Sequence, residues 1–505
     1  MKKETYTFGK TMFMGLTLLA GSLLTACSSD DDPATPEAKD PEVTYKGTTA
    51  SSTGILFNNG TELGNGDQEF EFTGNVTLQK GTYLLKGWVY VADGAKLTIP
   101  AGTIIKGDKQ TKAALIVEPG GYVEMRGTKN EPIVMTSEEA PGNRRPGDWG
   151  GLIICGKAAN NEGNKQIEGG PRTKFGGSDD NDNSGIYQYI RVEFAGYPFE
   201  TDKEINGITF GSVGRGTTID HLQVSYTNDD SFEWFGGAVN CQYLVAYKGW
   251  DDEFDTDNGF SGTVQYALSI RDPRIADTSQ SNGFESDNNA SGTETTPFTN
   301  ATFKNVTFIG PMTAKNSDFQ NNSDYINAGA VYPNNNSKLG KFQSAMQIRR
   351  SSRLNVENAL AVGYPVGLIL DGEKGSTPQY AKDGLFTLKN LLFAGMGVLG
   401  SDGNKIYDDL YSADGKSIAE GETRFSFSHE FFLNEAGSYK SSINNRVAES
   451  EAALKLTDPM KTGQNYCPQT TLSDGNGGYI GAFKDSSDNW LEGWTNFDPQ
   501  NTVYE

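Results

Sequence analysis

The sequence predicts an all-β chain wound into a right-handed, single-stranded parallel β-helix with a cap at each end. Three observations lead there. From about residue 85 onward, apolar or β-branched runs of four to nine residues alternate with Gly, Asn and Asp, and helical spacing is rare. One unit recurs: Phe232-Glu233, Phe254-Asp255 and Phe284-Glu285 stand 22 and 30 residues apart. The runs upstream keep step with it, at Val224–Tyr226, Val245–Tyr247, Leu268–Ile270, Val306–Phe308 and Leu360–Val362. A repeat of ~20–30 residues suits one turn of a stacked solenoid, whereas a propeller blade needs ~40–50.

In chain order, residues 1–26 read as a removable leader. Lys2, Lys3 and Lys10 make a basic start, and Phe13–Ala26 is an apolar stretch shorter than the ~20 residues of a membrane span. Leu24-Thr25-Ala26-Cys27 resembles a bacterial lipobox, which implies a lipid-modified Cys27 as the mature N-terminus. The following Ser28-Ser29-Asp30-Asp31-Asp32 resembles the export signal of Bacteroidota lipoproteins, which implies anchorage in the outer membrane, facing outward. Residues 27–50, rich in Ser, Thr, Pro and Asp, read as a flexible tether. Residues 51–85 are assigned to an N-terminal cap, 86–400 to the β-helix and 401–505 to a C-terminal cap region with a helical stretch near Ala448–Leu456.

Composition excludes several classes. The 61 Gly have no three-residue period, so the chain is not collagen-like, and their excess suits frequent turns. A formal charge of −22 repels phosphate backbones, which argues against a nucleic-acid partner. Two His and four Cys are too few for a zinc-rich protein. Cys155, within Leu152–Cys155, reads as a core filler, and His221 reads as structural. Asp179–Asn183 reads as an acidic turn with affinity for calcium, and Arg144-Arg145-Pro146 as a solvated basic spot. No motif calls for an organic cofactor.

Strand residues alternate faces. With Phe232, Phe254 and Phe284 inward, Glu233, Asp255 and Glu285 form one outward column. Two residues on, Phe235, Asp257 and Asp287 form a second; the next rung adds Gln347 to the first column and Arg349 to the second, and the rung after adds Asp371. Asp229, Asp230, Asp251 and Asp252 join from the adjoining turns. Rungs lie ~4.8 Å apart, and stacked carboxylates at that spacing call for a cation, a shared proton or a ligand.

Three chemistries compete for that face. The first is glycoside hydrolysis or polysaccharide cleavage by Glu233, Asp255, Asp257, Glu285, Asp287 and Arg349, since neighbouring rungs match the ~5–5.5 Å carboxyl spacing of retaining enzymes. The second is calcium held by Asp251, Asp252, Asp257, Asn258 and Asp287. A lyase also needs a base, for which Arg349, Arg350, Arg271 and Lys248 are the nearby basic residues. The third is glycan binding without chemistry, with Trp234, Phe235, Tyr247 and Trp250 stacking on sugar rings. Against all three stands ordinary turn chemistry, in which Asp and Asn bond their own backbone.

Several segments together carry a resemblance. They are Ala95–Ile105, Gly147–Ile153, Asn183–Gly185 with Tyr189–Gly196, Ser231–Gly237, and Gly481–Phe483 with Trp490, Trp494 and Phe497-Asp498-Pro499. Over roughly residues 80–505 the chain resembles a family of secreted or lipid-anchored β-helix proteins of Bacteroidota with pectin-lyase-like architecture. Asp255-Thr256-Asp257 resembles in outline the Asn-Thr-Asp motif of polygalacturonase-like hydrolases but departs at its first residue, and that family's other motifs are missing. The expected function is polysaccharide binding or processing at the cell surface, beside a TonB-dependent importer. An adhesin or structural surface protein is the alternative.

Overall fold

The computed structural model describes residues 49–57, 60, 62–200, 203–333, 335–401 and 426–505. The leader, Cys27 and nearly all of the tether lie outside the described residues. The chain forms the expected right-handed parallel β-helix, with strands joined into one continuous 28-stranded sheet that folds around three faces. One rung shows the plan: strand Cys241–Tyr247 crosses a corner onto face 1, Phe254–Asp257 makes face 2, and Thr263–Ile270 makes face 3 before turning onto face 1 of the next rung.

The corner between face 3 and face 1 is a column of left-handed residues: Tyr189, His221, Tyr243, Tyr266, Asn305, Asn358, Asn390 and Asn444, all with φ between 50° and 61°. Asn adopts this conformation readily, while a bulky side chain costs ~1–2 kcal/mol there. The aromatic half of the column offsets that cost by ring stacking. His221 lies 4.3 Å from both Tyr189 and Tyr243, and Tyr243 lies 4.9 Å from Tyr266. His221 is therefore a structural rung of this ladder. In the Asn half, the Asn390 side-chain N–H donates a hydrogen bond of 2.8 Å to the Asn358 side-chain oxygen.

Inside the coil, like residues stack in register. On face 2 the inward column runs Ile208, Phe232, Phe254, Phe284, Met346, Leu368. Phe232–Phe254 and Phe254–Phe284 ring centres are 5.7 and 5.9 Å apart.

Rungs extend into both segments assigned to caps. Residues 49–57 pair in parallel with 70–78, so rungs are already present where the N-terminal cap was assigned. At the other end, rungs continue to Arg446–Val447, helix Phe427–Leu433 packs on the coil, and Glu451–Leu454 forms a short 3-10 turn. Residues 481–505 lie elsewhere. They run back along the outside of face 1: Gly481 bonds Asn358, Trp490 meets Tyr243, Asn496 bonds Gln223, and Glu505 accepts a bond from Thr82. This strap covers outward apolar residues of face 1, including Val245, Tyr247, Leu268, Ile270, Ile309, Leu360 and Val362, which form a second core outside the coil. Arg144 is 2 % exposed and donates to the strap carbonyls of Pro499 and Thr502 at 2.6 and 2.8 Å, so it is an anchor and not a solvated spot.

Candidate functional site

Face 2 divides into an apolar half and an acidic half, and in the acidic half Glu233 and Gln347 are buried while Asp255 and Glu285 are half-buried. Over the early rungs its outer side is buried by the insertion between Cys155 and Ile208, whose Ile167, Phe175 and Ile205 pack on Ile116, Ile153 and Phe235. Beyond Thr209 the outer column becomes Glu233, Asp255, Glu285 and Gln347, each paired with the next in register. Asp257 pairs with Phe235 in the neighbouring column. The acidic column is thus real and is fixed by backbone ladders on every rung.

The turns leading into face 2 add four more carboxylates, and here a second ladder operates. Asn206, Asp230, Asp252, Asn282 and Ser344 occupy equivalent positions, two residues before the inward residue of each rung. Asp230 accepts the backbone N–H of Asp252 at 2.8 Å, Asp252 accepts that of Asn282, and Asn282 accepts that of Ser344 at 3.1 Å. Asp230 and Asp252 therefore also serve as turn caps, as Asx chemistry predicts. Beneath them lies a buried ion pair: Arg271 donates to Glu253 at 2.6 Å and to the carbonyls of Trp250 and Asp251. It holds the turn that carries Asp251 and Asp252.

Carboxylates crowd at this junction. Asp229, Asp230 and Asp251 present oxygens within 4.8 Å of one another, as do Asp230, Glu233 and Asp255. Burial, then the neighbouring charge of Asp255, holds Glu233 well above the usual carboxylate range. Burial, then Asp287, does the same to Asp255. Burial, followed by Asp252, pushes Asp251 up to about 7, and burial pushes Asp252 up to about 6. One oxygen each of Asp251 and Asp255 is buried with no hydrogen-bond partner. The other end of the column is neutralised: Arg349 pairs with Glu285 and, at 2.8 Å, with Asp287, which Arg350 also holds at 2.6 Å. Among the described residues, Glu233 and Asp255 have no such basic partner.

The proposed calcium set is split by the structure. Asp251 joins Asp229 and Asp230. Asp257 accepts the backbone N–H of Asn258, Asp287 is held by two arginines, and Asn258 accepts a bond from Lys165 at 3.1 Å. The oxygens that converge are those of Asp229, Asp230, Asp251, Glu233 and Asp255, a hard donor set that suits calcium. Asp179–Asn183 is a capped turn: Asp180 and Asp182 accept the N–H groups of Ala159 and Lys157.

The four aromatic residues expected to stack on sugars are not available to do so. Trp234 is fully buried in the coil, stacked between Phe210 and Phe260, because the alternation that turns Glu233 outward turns Trp234 inward. Phe235 lies under Phe175 of the insertion. Tyr247 lies under the strap and donates to a carbonyl at Thr462 or Phe497, each 3.1 Å away. Trp250 is buried beside Ile275 and Ala328. Of the basic candidates, Arg271 is committed to Glu253, and Lys248 lies 3.5 Å from Asp272 and over the Tyr226 and Tyr247 rings. Cys155 is buried, and burial pushes its thiol far up, away from nucleophilic use.

The insertion supplies residues that sequence reasoning missed. Asn206 donates to Glu233, and Glu168 and Glu204 add charge beside Asp229. Asn206 was legible in principle, since it stands two residues before Ile208 as Asp230 stands before Phe232. Glu168 and Glu204 lie outside the repeat and carry no such signal.

Residues 70–404 match the pectate-lyase-like β-helix domain, and the chain belongs to that family. No curated protein matches. Among solved structures, the chain is similar to the Dettilon tailspike protein at 11% identity and a TM-score of 0.27, over 65% of this chain. It spans 62% of the tailspike chain's length.

Proposed function

We propose that this pectate-lyase-like β-helix protein binds polysaccharide along the acidic half of face 2, over Glu233, Asp255 and Glu285. One observation carries the reading: Glu233 and Asp255 stand in register on rigid sheet, turned outward, without a basic partner among the described residues. A chain gains nothing for folding by placing desolvated like charges one rung apart. Sugar hydroxyls would donate to these carboxylates, and bound calcium would neutralise the cluster while Asp229, Asp230 and Asp251 hold it. With the four aromatics buried, recognition would rest on hydrogen bonds and charge more than on ring stacking.

A second reading is favoured by the carboxylate spacing. Oxygens of Glu233 and Asp255 lie within 4.8 Å, near the ~5–5.5 Å of retaining glycosidases. A raised pKa suits Glu233 to donate a proton to a leaving oxygen, with Asp255 as the second carboxylate. The setting we propose for either activity is the outer face of an outer membrane, with Cys27 lipidated and a TonB-dependent importer nearby. The reading of residues 1–32 supports it.

The test is a polysaccharide panel of acidic and neutral chains, assayed for binding and for reducing-sugar release, with calcium and with EDTA. Binding that weakens in Asp255→Asn supports the first reading. Product release that vanishes in Asp255→Asn and Glu233→Gln while binding persists supports the second. A native protein that neither binds nor cleaves any member of the panel would refute both.

A further inference from the structure

The strap along face 1 does more than cover an apolar surface. Its residues touch rungs far apart in the coil and tie them in one continuous segment. The backbone N–H of Ala482 donates to the Thr307 hydroxyl at 2.8 Å, and that of Gly481 to the carbonyl of Asn358. Trp490 and Trp494 meet the stacked corner rings edge-on, at 5.3 Å from Tyr243 and 5.4 Å from His221. Gln223 and Asn496 exchange two bonds of 2.7 and 2.9 Å. Farther along, Tyr504 donates to buried Glu193 at 2.7 Å and lies under the guanidinium of Arg144. The Tyr504 carbonyl accepts from Lys106, and the Glu505 carbonyl from Thr82. Residues 481–505 therefore span every rung of face 1 from Leu360–Val362 back to Thr82–Leu85.

Beneath the strap lie two outward columns that no solvent-facing sheet would carry. One runs Val245, Leu268, Thr307, Leu360, Leu392, and the other Tyr247, Ile270, Ile309, Val362, Ala394. Without a cover these columns form a contiguous apolar stripe on a flat sheet, the kind of surface that pairs with a like surface.

A solenoid rung ordinarily feels only its neighbours, so its stability is local and its ends fray independently. A segment that reaches from the Leu360–Val362 rung to the Thr82–Leu85 rung changes this. We infer that the strap is a latch that makes the coil one cooperative unit and shields the face 1 stripe from a second copy of the chain. Because its contacts require rungs from residue 82 to residue 362 to be in place, it docks only onto a completed coil.

The test perturbs the strap at one place and reads the coil at another. In Trp494→Ala, hydrogen exchange is followed at 82–85 and 104–107, strands that residues 504–505 of the strap reach. In Tyr504→Ala it is followed at 243–247. The expected result is exchange at least about ten-fold faster at these remote strands in both variants. Light scattering should show the native chain monomeric and the variants associating in proportion to concentration. Should Trp494→Ala fail to fold, Tyr504→Ala decides alone, since it removes one ring at the strap's far end. Faster exchange confined to the rungs touching the substituted residue would overturn the coupling. Variants that stay monomeric while face 1 exchanges faster would overturn the shielding.

Discussion

Replacing Arg271 should unfasten the acidic turn from beneath. Arg271 is 1 % exposed and Glu253 is fully buried, so neither charge is solvated by water in the native state. The guanidinium meets Glu253 at 2.6 Å and donates to the carbonyls of Trp250, at 3.2 Å, and Asp251. In Arg271→Met, Glu253 keeps only the Ser231 hydroxyl at 2.9 Å, and the Asp251 carbonyl loses its donor while that of Trp250 keeps the Ser281 hydroxyl at 2.8 Å. Stranding one member of a buried pair costs ~3–5 kcal/mol, and most of that figure is the uncompensated charge. The double variant Arg271→Met with Glu253→Met removes both charges at similar volume. It should lose only ~1–3 kcal/mol, from the Asp251 carbonyl and the Ser231 hydroxyl left unpaired. Chemical denaturation of the native chain, both single variants and the double variant gives the coupling directly. A loss below ~1 kcal/mol in Arg271→Met, or a double variant worse than either single one, would refute the claim that this pair holds the turn.

Other consequences follow from the same geometry. Burial raises Asp251 and Asp277 to about 7 and Asp252 to about 6, so the folded state binds protons that the unfolded chain has already released. Their contribution is fully present below pH ~4 and is lost as pH rises through 6 and 7. Stability measured without divalent cations should therefore fall by at least about 2 kcal/mol between pH 5 and pH 8, and millimolar calcium should restore part of it at pH 8. A flat profile would contradict the crowding of these carboxylates. Trp234→Ala should destabilise by ~3–5 kcal/mol through the cavity it leaves in the coil, while the folded fraction keeps its glycan affinity; a stable variant that loses binding would restore Trp234 as a contact. Arg349→Met should raise calcium affinity at the acidic column, because Glu285 and Asp287 lose a competing cation; unchanged affinity in a calcium titration would place the cation elsewhere.

The repeat was legible because face 2 announces itself through one Phe-acid pair per rung. Alternation then fixed which carboxylates face outward, and the register of Glu233, Asp255, Glu285 and Gln347 follows that expectation. The aromatic assignments failed for a reason the same rule contains, since Trp234 and Glu233 are neighbours and must face opposite ways. Tyr247 and Ile270 carried a further signal. They are apolar at outward positions, which marks a covered outer face, and the strap is that cover. Its docking against face 1 was not legible, because contacts such as Tyr504 with Glu193 join residues far apart in the chain with no periodicity linking them. The insertion that covers the early rungs of face 2 is hidden for the same reason. The Asp-rich turns held both meanings at once: Asp230 and Asp252 cap the backbone of the next rung and also crowd the groove.

The most direct test of the account is calorimetric titration of the native chain and of Asp255→Asn with a polysaccharide drawn from the panel, in calcium and at pH 7. Asp255→Asn keeps the size of the side chain, and it removes an outward carboxylate that, among the described residues, lacks a basic partner. The account predicts saturable binding by the native chain and at least about ten-fold weaker binding by the variant, a loss of ~1.4 kcal/mol or more. Equal affinity in the two proteins would contradict it and would leave the acidic column to turn capping alone.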